Sequence, residues 1–395
     1  MINVAILGYG VIGSGTYKVI TQNQDIVKGN AGDAVQVKAV LDLREFPGSP
    51  VEDILTHDFN DILNDDEIDI VVEVMGGTGA AYKFVKASLE AGKSVVTSNK
   101  ALVAAYGPEL IRIAREKNIN FMFEASVGGG IPIIRPLISC ITADEILEIT
   151  GILNGTTNFI LTDMYEEGSE FEPVLKQAQA NGFAEADPTA DIEGHDACRK
   201  IAILTALAEG QFVDFEDIPC RGITGISAED IAYAKALGKK IKLLASTRYS
   251  GGNIYSEVSP CMIDSSNPLY AVDGVMNAVL VKGNMLGDIM FYGAGAGSLP
   301  TASAVVSDIV ACCRHMHENI PVRMDPEKLT VHDPAELKDR YFIRVSADAD
   351  IASKVPCECE ITIPDAEGEK AVITKAIAGA ELKDLEGIIS CIKVR

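Results

Sequence analysis

The chain has 395 residues, 47% hydrophobic and 23% charged, with 35 glycines and 16 prolines. This is ordinary globular usage with apolar material for a real core and room for roughly two to three domains, which excludes a single small module and a disordered or collagen-like chain. Lysine and arginine number 34 against 57 aspartates and glutamates, a net charge of −23, so the overall field repels phosphate backbones and anionic lipid; nucleic-acid and membrane partners are not expected. The N-terminus has no signal-peptide pattern, no apolar run approaches the roughly 18 residues of a membrane span, and the cysteines are scattered without a C-x-x-C pair. A cytoplasmic protein with reduced thiols is expected.

The first half alternates short β-branched runs (2–7, 35–42, 69–75, 94–97, 120–123) with stretches at helical spacing (11–28, 80–91, 107–117), the signature of a doubly wound parallel α/β sheet. After Pro132 come longer helices near 133–141, 156–167, 172–181, 194–210 and 228–245, with strands near 145–153, 254–263 and 277–282, which predict a second, mixed α/β domain over 133–298. The helix expected at 299–318 is assigned back to the first domain, residues 1–132. Strands near 341–345, 357–363, 370–375 and 387–394, with a helix at 380–386, predict a small α+β domain over 336–395.

Gly8-Tyr9-Gly10-Val11-Ile12-Gly13 is G-x-G-x-x-G at the junction of an apolar strand and a helix. There the glycines allow a tight turn and close approach to a pyrophosphate, and the helix start supplies N–H donors. A Rossmann dinucleotide site is therefore expected. Asp42, at the end of the second strand, can accept from the ribose hydroxyls of NAD, whereas Arg44 can meet the 2′-phosphate of NADP; the choice stays open. The Gly13 to Asp42 interval exceeds the usual ~20 residues, which is assigned to an extended loop near 28–33. Gly77 and Thr78 follow a further strand on the ligand side of the sheet, and Lys100 stands just beyond another strand end.

The run from Ala184 to Lys200 is dense in charge. Asp196 and Lys200, at i and i+4, share a helix face and can pair, and a lysine so held can give or take a proton. Glu185 can take a substrate ammonium. The run Asn154-Gly155-Thr156-Thr157-Asn158 offers amide and hydroxyl donors for a carboxylate, or equally a helix cap. The turn from Glu124 to Ile131 lacks His and Cys and suits a hard monovalent cation or a plain hinge.

These motifs, with Ser98-Asn99-Lys100-Ala101-Leu102-Val103 and Gly293-Ala294-Gly295-Ala296-Gly297-Ser298-Leu299-Pro300-Thr301-Ala302, stand in the order seen in homoserine dehydrogenases, and the resemblance spans roughly residues 1–320. It implies reversible NAD(P)H-dependent reduction of L-aspartate 4-semialdehyde to L-homoserine, on the route to threonine, methionine and isoleucine, by a homodimer or tetramer. It also implies Lys200 as proton donor, Lys100 as a second active-site lysine near the nicotinamide, Glu185 on the substrate ammonium, and Asp187, Asp191 and Asp196 ordering the polar network. Gly297 would lie at the cofactor, and Glu124, Val127, Gly129 and Ile131 would hold a sodium ion. Residues 336–395 resemble an ACT domain weakly, because Ser346-Ala347-Asp348-Ala349-Asp350 stands where the glycine- and proline-bearing turn belongs. The tail is read either as an effector module or as a support for subunit association. Two other functions remain in view: another amino-acid oxidoreductase on this scaffold, and a dinucleotide sensor that has lost catalysis.

Overall fold

The computed structural model describes residues 1–383 and 385–395. In chain order the elements open with β1 (Ile2–Leu7), α1 (Val11–Gln22), α2 (Gln24–Ala31), β2 (Val35–Leu41), β3 (Leu55–Thr56), α3 (Phe59–Leu63), β4 (Ile70–Glu73), α4 (Gly79–Glu90), β5 (Ser94–Thr97), α5 (Lys100–Glu116), β6 (Phe121–Met122) and α6 (Ile134–Ser139). Next come β7 (Ile146–Ile152), α7 (Gly155–Glu167), α8 (Phe171–Ala180), α9 (Thr189–Ile192), α10 (His195–Glu209), β8 (Gln211–Phe212), α11 (Ala228–Ala236), β9 (Lys239–Ser250), β10 (Asn253–Asp264), β11 (Met276–Gly283) and β12 (Gly287–Ala294). The chain closes with α12 (Ser298–Arg314), β13 (Asp325–Lys328), β14 (Lys338–Ser346), β15 (Cys357–Ile361), β16 (Glu369–Thr374), β17 (Ile377–Ala378) and β18 (Ile388–Val394). They form two compact units, Met1–Ala143 with Ala202–Asp214 and Gly293–Leu329, and Asp144–Ile201 with Phe215–Tyr292 and Thr330–Arg395.

The first unit is built on a parallel sheet of order β3-β2-β1-β4-β5-β6. The order reverses between β1 and β4, which opens the ligand crevice of a doubly wound sheet at their carboxyl ends. Val4, Ile6, Val72 and Val96 are fully buried together with Val305, Ile309 and Cys312 of α12, so that helix closes this core. Close packing dictates two of the glycines. A Cβ on Gly13 would lie 1.9 Å from the Gly8 carbonyl oxygen. One on Gly129, whose φ is +57°, would lie 2.2 Å from the Gly295 carbonyl oxygen. The runs around Gly128 and Gly295 therefore mesh backbone against backbone, tied by the Gly130 N–H to the Ala294 carbonyl at 3.0 Å. The long Gly13 to Asp42 interval is helix α2 rather than an extended loop; α1 ends at Gln22 and the chain restarts one residue later.

The second unit holds a sheet of order β12-β11-β7-β9-β10-β18-β14-β16-β15, with β17 on β14. The helix expected over 228–245 is only half helix. Ser227 and Asp230 form a capping box for α11, the helix stops at Leu237, Gly238 takes φ +66°, and β9 follows as a buried strand. Strand β12 has no counterpart in the sequence reading. Residues 336–395 are strands and 3₁₀ turns, with no α-helix among those described, so an α+β tail is not what forms; the helix expected at 380–386 is a 3₁₀ turn at Gly379–Leu382, and Asp384 within it lies outside the described residues. These strands belong to the same sheet as β10, because β18 pairs with it in parallel at Cys261 and Met262.

Candidate active site

In the first unit α1 begins at Val11 with Gly10 as an N-cap that contributes no side chain, and its first turn carries no acid, so its N–H groups face an anion site unopposed. Beside it lies a cavity of about 530 Å³ lined by Gly8, Gly10, Asp42, Arg44, His57 and the stacked rings of Phe59 and Phe84, 4.2 Å apart. Asp42 accepts from the Tyr9 N–H at 2.7 Å and from Arg44 Nε at 3.0 Å and NH2 at 2.9 Å. That guanidinium holds the Asp42 carboxyl well below the usual carboxylate range. His57 meets the Asp42 carbonyl at 2.6 Å and Glu45 at 2.9 Å, and those two acceptors, in that order, raise its pKa. Gly8, Gly10 and Gly13 make the turn, Ile12 and Tyr9 pack against the core, and Val11 is 68% exposed despite being apolar. An open helix N-terminus, a carboxylate at the end of β2 and an aromatic-walled slot together fit a dinucleotide.

At the ends of β4 and β5 the loop carrying Gly77 and Thr78 is fixed from beneath. Glu73 is fully buried and accepts from the Met75 N–H at 2.8 Å, the Gly76 N–H at 3.2 Å and the Thr97 hydroxyl at 2.6 Å; burial raises its pKa. Asn99 donates to the Gly77 carbonyl at 2.5 Å and caps α5 through the Leu102 N–H at 3.1 Å, which places Lys100 at the first position of that helix. Gly297 is the N-cap of α12, with φ +117° and no side-chain cap.

The second unit gathers Asn154, Asp191, Asp196 and Lys200. Lys200 Nζ lies 2.7 Å from Asp196 and donates to the Leu153 carbonyl at 2.8 Å; Asp196 is 4% and Lys200 8% exposed. The Asn154 amide donates to Asp191 at 2.7 Å and to Asp196 at 3.1 Å, while its oxygen caps α7 through the Thr157 N–H at 2.9 Å. Capping and network are thus both duties of one side chain. Thr156 donates to the Phe183 carbonyl at 2.6 Å. Glu185 and Asp187 are exposed on the loop before α9, outside this cluster; Asp187 is lowered by the Thr189 hydroxyl and then its N–H.

Glu124 carries more structure than the sequence showed. Its carboxylate accepts from the Ile133, Ile134 and Arg135 N–H groups at 2.6, 2.7 and 2.7 Å, capping α6, and its own N–H donates to Asp308 at 2.7 Å. Asp308 pairs with Arg135, and burial pushes it up to about 7. Of the residues lining these sites, sequence reasoning missed His57, Phe59, Phe84, Glu73 and Asp308. His57, Phe59, Phe84 and Asp308 lie apart in sequence from the motifs they serve, whereas Glu73, two and three residues before the N–H groups it holds and at an apolar strand's carboxyl end, carried a signal.

A family model described as homoserine dehydrogenase, NAD binding domain matches residues 8–124, and one described as homoserine dehydrogenase matches 132–310. The chain belongs to the homoserine dehydrogenase family. It is 42% identical over 359 residues to a homoserine dehydrogenase of Bacillus subtilis, covering 89% of this chain and 83% of that one. A homoserine dehydrogenase structure from Thiobacillus denitrificans superposes with a TM-score of 0.91 at 35% identity, covering 100% and 98% of the two chains. A hyperthermophilic archaeal homoserine dehydrogenase in complex with NADPH matches at 0.68 and 28% identity, covering 82% and 99%. The enzyme is accordingly an NAD(P)-dependent oxidoreductase that interconverts aspartate 4-semialdehyde and homoserine in amino-acid biosynthesis. The readings as a dinucleotide sensor and as another amino-acid oxidoreductase are set aside.

Replacing Glu124 with Gln puts an amide N–H₂ against a buried backbone donor. Denaturant unfolding is expected to show about 1–3 kcal/mol of lost stability, in buffer without sodium as well as with it; an unchanged midpoint would show that the capping contacts contribute nothing.

Proposed function

We propose that Lys200 is the proton donor of this dehydrogenase, and the observation that carries the reading is its buried anchorage between Asp196 and the Leu153 carbonyl. An ammonium has three N–H donors. Two are directed by those acceptors, and the third is offered to the substrate's carbonyl oxygen. When bound, NAD(P)H supplies the hydride. As charge builds on the aldehyde oxygen, Lys200 stabilises it and delivers its proton, and in the reverse direction it takes the hydroxyl proton of homoserine. Asp196 aims the ammonium. Asn154 holds Asp196 and Asp191 in register, and Thr156 supports the loop at Phe183. Glu185, on the exposed loop, serves the substrate ammonium, and Asp187 beside it orders the loop through Thr189. Lys100 stands where the β5 end and the Gly77–Thr78 loop meet the nicotinamide, and Gly297 offers the α12 N-terminus.

Gly8 to Gly13 cradle the pyrophosphate, and the Asp42–Arg44 pair serves the adenosine ribose, Asp42 toward NAD and Arg44 toward NADP. The Val127, Gly129 and Ile131 carbonyls with Glu124 suit a sodium ion as a support for the turn, since carboxylate and carbonyl oxygens are its preferred donors. A second copy covers β12, an edge strand whose Met290 and Tyr292 are 40% and 54% exposed. Nine unbridged thiols agree with a reducing cytoplasm, and the described residues contain no helix long and apolar enough to cross a membrane.

Steady-state kinetics of homoserine oxidation separate the roles. Lys200→Ala is expected to lower kcat by about 10²- to 10⁴-fold, with cofactor binding kept, whereas Glu185→Ala raises the KM for homoserine by about 10-fold or more; unchanged kcat in the first would remove the proton-donor role. With both cofactors measured side by side, Arg44→Ala should raise the KM for NADP by about 10-fold and Asp42→Ala that for NAD; parallel effects on both would mean that the pair only shapes the loop. Light scattering of Met290→Asp should show a smaller assembly than the parent protein, and equal masses would place the subunit contact elsewhere.

A further inference from the structure

Lys242 of β9 is 1% exposed, and no step of the proton transfer uses it. Its Nζ donates to Asn158 Oδ1 at 3.0 Å, to the Val272 carbonyl at 2.6 Å and to Asp273 Oδ1 at 2.8 Å. Three acceptors around one nitrogen take all three N–H groups of an ammonium. Burial draws the Lys242 pKa down, and the Asp273 carboxylate opposes that. An apolar side chain would fill the same space without the desolvation cost of a charge. What the ammonium adds is direction, since it pins a helix side chain and two groups of a loop to one point.

The Asn158 amide completes the knot. Its Nδ2 donates to the Val272 carbonyl at 3.1 Å and to the Met276 carbonyl at 3.0 Å, and the residue is 1% exposed. The loop from Val272 to Met276 is thereby tied to α7. Two further contacts run the same way. The Gly274 N–H donates to the Thr162 hydroxyl at 3.1 Å, and a Cβ on Gly155 would lie 2.8 Å from the Val275 carbonyl oxygen, so the loop presses directly on the first residue of the helix. Asn158 stands one turn beyond Asn154 and its N–H donates to the Asn154 carbonyl at 3.3 Å. Asn154 in turn reaches Asp191 at 2.7 Å and Asp196 at 3.1 Å, and Asp196 pairs with Lys200 at 2.7 Å. Every group in this chain of contacts belongs to the second unit.

We propose that Lys242 is a positioning residue of the dehydrogenase: by fixing α7 against the 272–276 loop it sets where Asn154 holds Asp196, and so where the Lys200 ammonium points. This rests on Lys200 as the proton donor. The Asp273 side chain is 34% exposed and keeps Lys240 at 2.6 Å, so removing Lys242 leaves no buried carboxylate unpaired. The change loosens Asn158 and, with it, the start of α7. A misplacement of about 1 Å at a group that takes part in the reaction lowers turnover by about 10²-fold.

The test is a double-mutant cycle in homoserine oxidation by the full-length enzyme. The parent, Lys242→Met, Asn154→Ala and the combined variant are assayed well below their unfolding midpoints, so that folded enzyme is compared with folded enzyme. Methionine keeps the length of lysine without its charge. Lys242→Met is expected to lower kcat by about 10- to 10²-fold and to leave the KM for the cofactor unchanged. The combined variant should be no slower than Asn154→Ala alone, because both changes act on one contact. Parent turnover in Lys242→Met, or losses that multiply in the combined variant, would overturn the proposal. Asp273→Asn, a change at the half-exposed end of the knot, covers the case in which Lys242→Met does not fold. It should give a smaller fall in kcat that vanishes in the Asn154→Ala background, and a fall that persists there would also overturn the proposal. Lys200→Ala is measured alongside. Full turnover in that variant would remove the proton-donor reading, whereas lost turnover there with multiplying losses at Lys242 and Asn154 would remove the positioning role alone.

Discussion

Lys200 carries its charge out of water, and a buried ammonium is tolerated only where a counter-charge and further acceptors replace its hydration. Asp196 supplies the charge at 2.7 Å and the Leu153 carbonyl a second acceptor at 2.8 Å. Asp196 is itself buried and accepts from the Asn154 amide, which also reaches Asp191 and whose oxygen caps α7. One asparagine thus joins the end of β7, the start of α7, α9 and α10. A lysine held in this way keeps its head group fixed before substrate arrives, which is what a directed proton transfer requires.

The first unit obeys a related constraint, with carboxylates placed where strand ends and helix starts leave backbone donors unpaired. Asp42 takes the Tyr9 N–H, Glu73 takes those of Met75 and Gly76, and Glu124 takes three at the start of α6. Each acid fixes a loop on the ligand side of the sheet. The starts of α1 and α12 have glycine N-caps without a capping side chain, and Thr78 before α4 does not cap through its side chain either, so N–H donors stay open at these loops.

Much of this was legible in the sequence. The Rossmann glycines stand at a strand–helix junction, and the i,i+4 spacing of Asp196 and Lys200 already puts them on one face. What the sequence withheld depends on tertiary contact. His57, Phe59 and Phe84 line the cavity beside Gly8 and Asp42 from elements that share no local pattern with either. Glu124 offered oxygens for a cation, but its contacts with residues 133–135 and Asp308 arise only once the chain folds back. Strand β9 was taken for helix because a buried strand has no alternation to betray it; only Gly238 marks the break.

The tail shows how much a charge network can decide about architecture. Arg344 on β14 reaches Asp230 at 3.0 Å, Glu369 at 2.7 Å and Ser227 at 2.9 Å, binding the tail strands to α11. Lys393 meets Glu257 of β10 at 2.5 Å, and Asp339 of β14 takes a bidentate pair from Arg248 of β9 at 2.7 and 2.6 Å. These charges are largely buried, so breaking any one pair would strand its partner away from water. Together with the β10–β18 pairing they make the tail a continuation of the second unit's sheet. A module that binds an effector and transmits it by moving needs a boundary at which it can move, and buried ion pairs across β9, β10, β14 and β18 resist one. The same continuity brings Cys391 of β18 beside Cys220 and Arg221, whose guanidinium donates to the Cys391 carbonyl at 2.8 Å, so the tail's contribution here is to wall the cavities on that surface.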